Sequence, residues 1–271
     1  NTYLYLGTDN GILVYNYRTD KYEQPDTDFP TDVRTMVLQG DTLWIGSLNG
    51  LYTYQLKSRQ LNHFDSKQTG LPHNTIYSII HTKDNQIYIG TYNGLCRYVQ
   101  ASGKFENILL PVNRGGSNLF VNSLLEDTTR QCIWIGMEGY LFQYNPTIGE
   151  MKAIEVFHNN SIKSLALDGD ENLLAGTDNG LYVYQNDKEP LQHIIHDSRN
   201  IQSLTNNIIW NIFSDQEHNI WLGTDYAICT DFSNHRHRRR KSVLFPVPGF
   251  QRILLVRRYK RSDPVHPSCR Q

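Results

Sequence analysis

The chain has 271 residues, 39% hydrophobic and 11% aromatic, a composition that excludes a disordered polymer and suits a globular protein with a large core. Its formal net charge of −1 conceals two unlike parts: residues 1–233 hold 15 Lys+Arg against 26 Asp+Glu (net −11), and residues 234–271 hold 11 against 1 (net +10). No apolar run is long enough to span a membrane, and Cys96, Cys132, Cys229 and Cys269 show neither CxxC nor any other metal-type spacing.

A short phrase recurs six times along the chain, each copy closing an apolar, aromatic-rich run with a glycine: YLYLG at Gly7, LWIG at Gly46, IYIG at Gly90, IWIG at Gly136, LLAG at Gly176 and IWLG at Gly223. Successive glycines are 39, 44, 46, 40 and 47 residues apart. That period is the length of one four-stranded propeller blade. Ahead of each of the last five glycines stands another strand: VRTMVL from Val33, IYSIIH from Ile76, VNSLLE from Val121, IKSLAL from Ile162 and IWNIF from Ile209.

After the glycine, four copies run into Asn10-Gly11, Asn49-Gly50, Asn93-Gly94 and Asn179-Gly180, read here as the central pair of a type I′ hairpin turn. The fourth copy has Glu138-Gly139 instead, and the sixth Tyr226-Ala227. An aromatic strand follows, as in LYTY from Leu51, LCRY from Leu95, LFQY from Leu141 and LYVY from Leu181. Fragments such as KFENI from Lys104 and PLQHI from Pro190 then read as a fourth, outer strand. The order within a blade is inner strand, glycine strand, aromatic strand, outer strand. No window carries a sustained 3.6-residue apolar period, so helix is expected to be nearly absent.

The phrases DNQIYIGTYNGLCRY from Asp84, GDENLLAGTDNGLYVY from Gly169 and HNIWLGTDY from His218 resemble the two-component regulator propeller repeat. The resemblance covers roughly Asn1 to Phe232. It implies an all-β propeller of about 43-residue blades, incomplete here and part of a seven-bladed ring. It also implies a place in the periplasmic sensor region of a hybrid two-component receptor, ahead of a membrane helix and cytoplasmic kinase modules that this sequence lacks. The chain opens inside a glycine strand without an initiator methionine, and is expected to be a fragment.

Two regions follow: a propeller over 1–233 with partial first and last copies, and a basic tail over 234–271. The tail contains HRHRRRK from His235, a pattern that also suits a nucleic-acid or anionic-membrane arm. Codons chosen for Gln251–Pro264 and read one nucleotide later spell KGFYWFGGTNGLIR, another copy of the repeat. The tail is therefore expected to be a frameshifted seventh blade without the sequence logic for order, the shift lying between about Ala227 and Leu244. An unclosed ring exposes a strand edge and a blade face, so self-association is expected.

Aligned on the following glycine, the inner strands differ sharply at one position: Arg34, Tyr77, Asn122, Lys163 and Trp210. The next position is repetitive, with Thr35, Ser78, Ser123, Ser164 and Asn211. Packing demands sameness and recognition demands variety, so the five variable residues are the primary ligand candidates, with packing between blades as their alternative role. The loop residues Asn74, Asn118, Asn206 and Asn207 are secondary candidates that turn formation explains equally well. Aromatic faces, amides and cations together suit an oligosaccharide, with the cations pairing to uronic acids or sulfates.

Catalytic chemistry finds little support. Asp9, Asp178 and Asp225 are copies of one turn, and Asp84, Asp170 and Asp215 belong to the preceding hairpins, so all six read as turn formers rather than a catalytic pair. Histidines 63, 73, 81, 158, 193, 196 and 218 are scattered over the blades, and His193 and His196 point to opposite faces of a strand. No GxSxG, HExxH or phosphate-binding glycine loop occurs, and no cofactor, metal or structural disulfide is called for. Cys96 and Cys229 occupy equivalent points of two aromatic strands and read as small buried fillers. The leading function is a periplasmic, non-catalytic glycan sensor that self-associates within its receptor, contacts no nucleic acid and meets the membrane only through downstream segments. A protein-docking propeller is the alternative, and a propeller lyase or glycosidase the least favoured.

Overall fold

The structure, a computed structural model, describes residues 2–23, 27–112, 119–154, 160–185, 192–200, 203–215, 219–225 and 228–230. The basic tail, Asn118, the Tyr226-Ala227 turn and the side chain of Cys229 lie outside them.

Six antiparallel sheets follow one another along the chain. The first holds β1 (Tyr3–Thr8), β2 (Gly11–Asn16) and β3 (Lys21–Glu23). The second holds β4 (Val33–Gln39), β5 (Thr42–Ser47), β6 (Gly50–Gln55) and β7 (Leu61–Phe64), and is followed by one short helix, α1 (Ser66–Thr69). The third holds β8 (Ile76–His81), β9 (Ile87–Thr91), β10 (Gly94–Val99) and β11 (Lys104–Ile108). The fourth holds β12 (Val121–Asp127), β13 (Cys132–Met137), β14 (Leu141–Asn145) and β15 (Glu150–Ile154). The fifth holds β16 (Ile162–Leu167), β17 (Leu173–Thr177), β18 (Gly180–Tyr184) and β19 (Gln192–Ile194). The sixth holds β20 (Ile209–Ser214), β21 (Ile220–Thr224) and β22 (Ile228–Thr230). The predicted strand order holds in all four complete sheets. Among the described residues, the first sheet lacks an inner strand and the sixth an outer one.

The apolar cores lie between consecutive sheets. Trp44 and Leu51 of the second sheet bury against Ile76, Ile79 and Ile89 of the third, while Leu174, Leu181 and Val183 of the fifth bury against Ile209, Ile212 and Leu222 of the sixth. Neighbouring inner strands also touch, β4 on β8, β8 on β12, β12 on β16 and β16 on β20. Sheets stacked face to face with their first strands adjacent make a propeller.

The repeated glycine is explained by this stacking. A Cβ built on Gly46, Gly136 or Gly176 would come within 2.6 Å of Cγ2 of Ile76, Ile162 or Ile209, the β-branched residue that opens the next inner strand. Glycine is required because a neighbouring blade fills its side-chain space. At Gly223 the nearest described atoms are those of Asn211 in the same sheet, at 3.7 Å or more. Five blade interfaces are thus filled, and the outward face of β21 has no described neighbour over its glycine.

The hairpin turns differ from the type I′ expectation. Register pairs Thr8 with Gly11, Ser47 with Gly50, Thr91 with Gly94 and Thr177 with Gly180, so asparagine is the second central residue and glycine the closing one. No central residue of these turns has positive φ, whereas the closing glycines have φ between +99° and +145°. That pattern is a type I turn with glycine at its last position. The hydroxyl before the turn sets it: Thr177 Oγ1 accepts the Asn179 N–H (3.0 Å) and donates to the Gly180 carbonyl (2.9 Å). Thr8, Ser47 and Thr91 repeat both bonds. At Gly139, with φ +77°, Met137 N–H instead donates to the Tyr140 carbonyl at 2.9 Å.

The aspartates of the inner hairpins divide differently from the sequence grouping. Asp215 aligns with Asp127 and Asp168 at the end of the inner strand, two residues before the level of Asp84 and Asp170. There Asp127 accepts from Trp134 Nε1 at 3.0 Å and Asp215 from Trp221 Nε1 at 2.9 Å. Asp127 is fully buried and paired with Arg130. Burial raises its pKa, but the Trp134 and Arg130 hydrogen bonds and the Arg130 charge outweigh that and hold it below the usual carboxylate range. Cys96 and Cys132 are buried free thiols whose pKa values burial pushes up, Cys132 to about 11.

Candidate functional site

The five variable positions share a backbone feature that the sequence does not announce. Pairing between the inner and glycine strands skips one residue in every copy: between Val33 and Thr35, Ile76 and Ser78, Val121 and Ser123, Ile162 and Ser164, and Ile209 and Asn211. The skipped residues are Arg34, Tyr77, Asn122, Lys163 and Trp210. Each is the extra residue of a β-bulge, released from the ladder on the strand nearest the propeller axis.

The uniform position beside them is structural, as expected from its repetition. Ser123 Oγ accepts the Leu165 N–H at 3.1 Å and Ser164 Oγ the Ile212 N–H at 3.0 Å. Ser78 Oγ donates to the Val121 carbonyl at 3.3 Å. These hydroxyls tie β8 to β12, β12 to β16 and β16 to β20.

Lys163 and Trp210 are brought together. Lys163 Nζ lies 4.4 Å from the centroid of the Trp210 ring, which is 42% exposed, and Trp210 Nε1 donates to Asp225 at 2.7 Å. Asn122 Nδ2 donates to the Ile162 carbonyl at 3.1 Å, immediately before Lys163, so part of its hydrogen-bonding capacity serves blade contact. Tyr77 stands edge-on to Phe120 with centroids 6.0 Å apart. Arg34 stands apart from the other four, and among the described residues its buried Nε has no hydrogen-bond partner. Such a group is an open donor that a ligand oxygen would satisfy.

The secondary candidates act within the chain. Asn74 Oδ1 accepts from Ser66 N–H (2.8 Å), Asn207 Oδ1 from His196 N–H (2.6 Å) and Asn206 Oδ1 from Ile208 N–H (2.7 Å). Asn74 and Asn207, both two residues ahead of an inner strand, fasten the incoming loop to the outgoing outer edge. His193 stacks on Tyr182 (centroids 4.1 Å), and His63 stacks on Tyr52 (4.4 Å). Among the described residues no group of three His, Cys, Asp or Glu side chains is placed to hold a metal ion, and no helix is long and apolar enough to cross a membrane.

Sequence alignment of the copies missed three aromatic neighbours of this ring. Tyr92 lies 4.2 Å from Phe120 between centroids, and His73 lies 4.9 Å from Tyr92. Tyr92 sits in a hairpin turn and Phe120 one residue before an inner strand, columns that the comparison of strands alone passes over.

A family model described as "Two component regulator propeller" matches residues 70–93 and 203–226. The extracellular domain of BT4673 from B. thetaiotaomicron, assigned to a hybrid two component system, superimposes with a TM-score of 0.82 at 79% identity, over 84% of this chain and 31% of that one. "Histidine kinase P4" of Formosa agariphila is 26% identical in an alignment 261 positions long that covers 83% of this chain and 18% of the kinase. The extracellular domain of BT3049 from B. thetaiotaomicron shares the fold, with a TM-score of 0.68 at 22% identity over 83% of this chain and 31% of that one. The chain thus spans less than a third of the length of each of these relatives.

Proposed function

We propose that this chain, which carries two-component regulator propeller repeats, is the ligand-sensing part of an extracytoplasmic receptor, facing the periplasm and answering to oligosaccharide fragments without chemistry of its own. The likeness to extracellular domains of two-component systems supports the receptor setting. The bulge repeated in five inner strands supports the ligand site. One uniform backbone device presents five unlike side chains, a pattern suited to recognition rather than catalysis.

In this reading Trp210 offers an aromatic face to sugar C–H groups, Asn122 and Tyr77 offer hydroxyl partners, and Arg34 and Lys163 offer donors to oxygen. Binding switches the receptor only if its two arrangements differ in affinity for the ligand. Calorimetry of the intact parent receptor against a panel of oligosaccharides tests the proposal. Binding that weakens in Trp210→Ala, with loss of induction in cells, supports it. Absence of binding across the panel, or full induction by the Trp210→Ala receptor, overturns it.

A docking role is the second reading, favoured by the outward face of β21, where no described residue covers Gly223. Crosslinks between that face and a second receptor copy, unaffected by sugar, would support docking over sensing.

A further inference from the structure

We infer that Asp225 and Lys163 are positioning residues for Trp210, a turn carboxylate and an ammonium from the neighbouring blade that together hold the indole in one orientation before a ligand arrives. The inference rests on the ligand-site reading above and deepens it: two members of the variable ring become one recognition unit, and Asp225, grouped by sequence with the turn formers, joins them.

Internal repetition separates Asp225 from the turn role. It stands directly after β21, and the residue at that point in the other copies is Asp9, Leu48, Tyr92, Glu138 or Asp178. Backbone groups close this level: Asp225 N–H donates to the Ile208 carbonyl (3.3 Å), as Leu48 N–H does to the Asp32 carbonyl (3.3 Å) and Tyr92 N–H to the Thr75 carbonyl (2.9 Å). Leucine and tyrosine support the same bond, so it does not need the carboxylate. The aspartates of the column also differ in use. Asp178 Oδ1 accepts the Ser161 N–H at 3.0 Å, a tie to the backbone ahead of β16, whereas Asp225 Oδ1 accepts from the side chain of a bulge residue, Trp210 Nε1, at 2.7 Å.

Geometry shows what each partner does. Trp210 is the extra residue of a bulge, so strand pairing fixes its neighbours and not its ring, and an exposed side chain on such a position has several staggered orientations open to it. The Nε1–H bond lies in the plane of the indole, so donation to Asp225 fixes the direction of the ring edge. The Lys163 ammonium, 4.4 Å from the centroid, sits over the face and fixes the tilt. Both arms are anchored in turn. Thr224, the residue before Asp225, meets the Thr205 hydroxyl at 3.1 Å. Beside Lys163, Ser164 Oγ accepts the Ile212 N–H (3.0 Å) and donates to Asn211 Oδ1 (3.3 Å), while Asn122 Nδ2 donates to the Ile162 carbonyl (3.1 Å).

The charges match the ring they touch. An aromatic face is negative and attracts a cation, while the indole edge is positive and donates its N–H. A carboxylate acceptor makes the stronger, shorter kind of hydrogen bond. For a ligand the consequence is entropic: a ring already ordered by its own chain does not have to be ordered by the sugar that stacks on it. Asp225 thus raises affinity without touching the sugar.

The test uses the intact receptor chain labelled with fluorotryptophan, the Trp210 fluorine resonance being the one lost in Trp210→Phe. Without ligand, Asp225→Ala and Lys163→Met are each expected to shift and broaden that resonance. Asp225→Asn and Lys163→Arg, which keep the acceptor and the cation, are expected to leave it close to its original position. A resonance indifferent to Asp225→Ala and Lys163→Met overturns the clamp and returns Asp225 to turn formation. Calorimetry with hexaoses of glucose, galactose, mannose and galacturonic acid gives the second readout. For a hexaose that binds, Asp225→Ala is expected to raise Kd about threefold to tenfold, the cost of ordering one side chain. In a receptor that already carries Trp210→Phe, and so has no indole N–H, the same substitution is expected to add less than about twofold. Full additivity of the two substitutions shows that Asp225 meets the sugar itself and overturns the positioning role. A Trp210 resonance that responds as described in a receptor that binds none of the hexaoses supports the clamp and overturns the sensor reading alone.

Discussion

Ile209 occupies the space that a side chain at Gly176 would need: a Cβ built there lies 2.6 Å from Ile209 Cγ2, and Ile209 is itself fully buried. Gly176→Ala is therefore expected to destabilise the chain by about 1–3 kcal/mol, the usual cost of overfilling a packed core. Gly223→Ala, which meets nothing closer than 3.7 Å among the described residues, is expected to change stability by less than about 0.5 kcal/mol. Urea titration of the two variants side by side checks the contrast. Equal losses would show that the glycine ladder is conserved along the chain for a backbone reason rather than for stacking.

The closing glycines allow steric and conformational costs to be separated. Gly94 and Gly180 have similar φ, +115° and +99°. Among the described residues a Cβ on Gly94 meets nothing within 4 Å, whereas on Gly180 it collides with the Ile194 carbonyl oxygen. Gly94→Ala is expected to cost about 1–2 kcal/mol from positive φ alone, and Gly180→Ala to cost more. The difference in urea midpoint between the two variants measures the added collision.

Asp127 provides a pH dependence of known sign. Its carboxyl is held below its unfolded pKa, so its contribution is complete above the unfolded value and is lost as pH falls through the folded one. Acid unfolding of the parent chain should therefore include this component at low pH, and Asp127→Asn should remove it. Because the substitution removes the buried carboxylate that faces the partly buried Arg130, a loss of about 1–3 kcal/mol near neutral pH is expected. Stability curves from pH 2 to 7 for both chains provide the measurement.

The buried thiols predict slow chemistry. Cys96 is fully buried and Cys132 nearly so, and both are pushed toward the protonated form. In the native chain both should resist alkylation at pH 8 that goes to completion in denaturant. Peptide-level mass spectrometry separates them from Cys229 and Cys269.

Strand order, blade period and glycine ladder were legible because they recur with the chain: six in-register phrases leave little freedom in what the sheets can be. The inner-ring position was legible for the same reason, since Arg34, Tyr77, Asn122, Lys163 and Trp210 vary where their neighbours do not. The bulge that frees them was not, because it is a property of pairing between strands and leaves no mark on residue type. The turn at Thr177–Gly180 was misread because Asn-Gly is compatible with two turn geometries, and the deciding atom is the hydroxyl at the position before the loop. Tyr92 and Phe120 were missed because they meet across two blades, 28 positions apart in sequence.

The repeated bulge has a consequence for substitution. A residue outside the hydrogen-bonded ladder is not fixed by strand pairing, and beside Lys163 the Ser164 hydroxyl holds the next inner strand through the Ile212 N–H. Substitution at 34 or 163 therefore leaves the pairing of its strand intact, whereas at 122 it also removes the amide bond to the Ile162 carbonyl of the next blade. Side-chain chemistry at the bulge can thus be altered separately from the six-sheet frame that presents it.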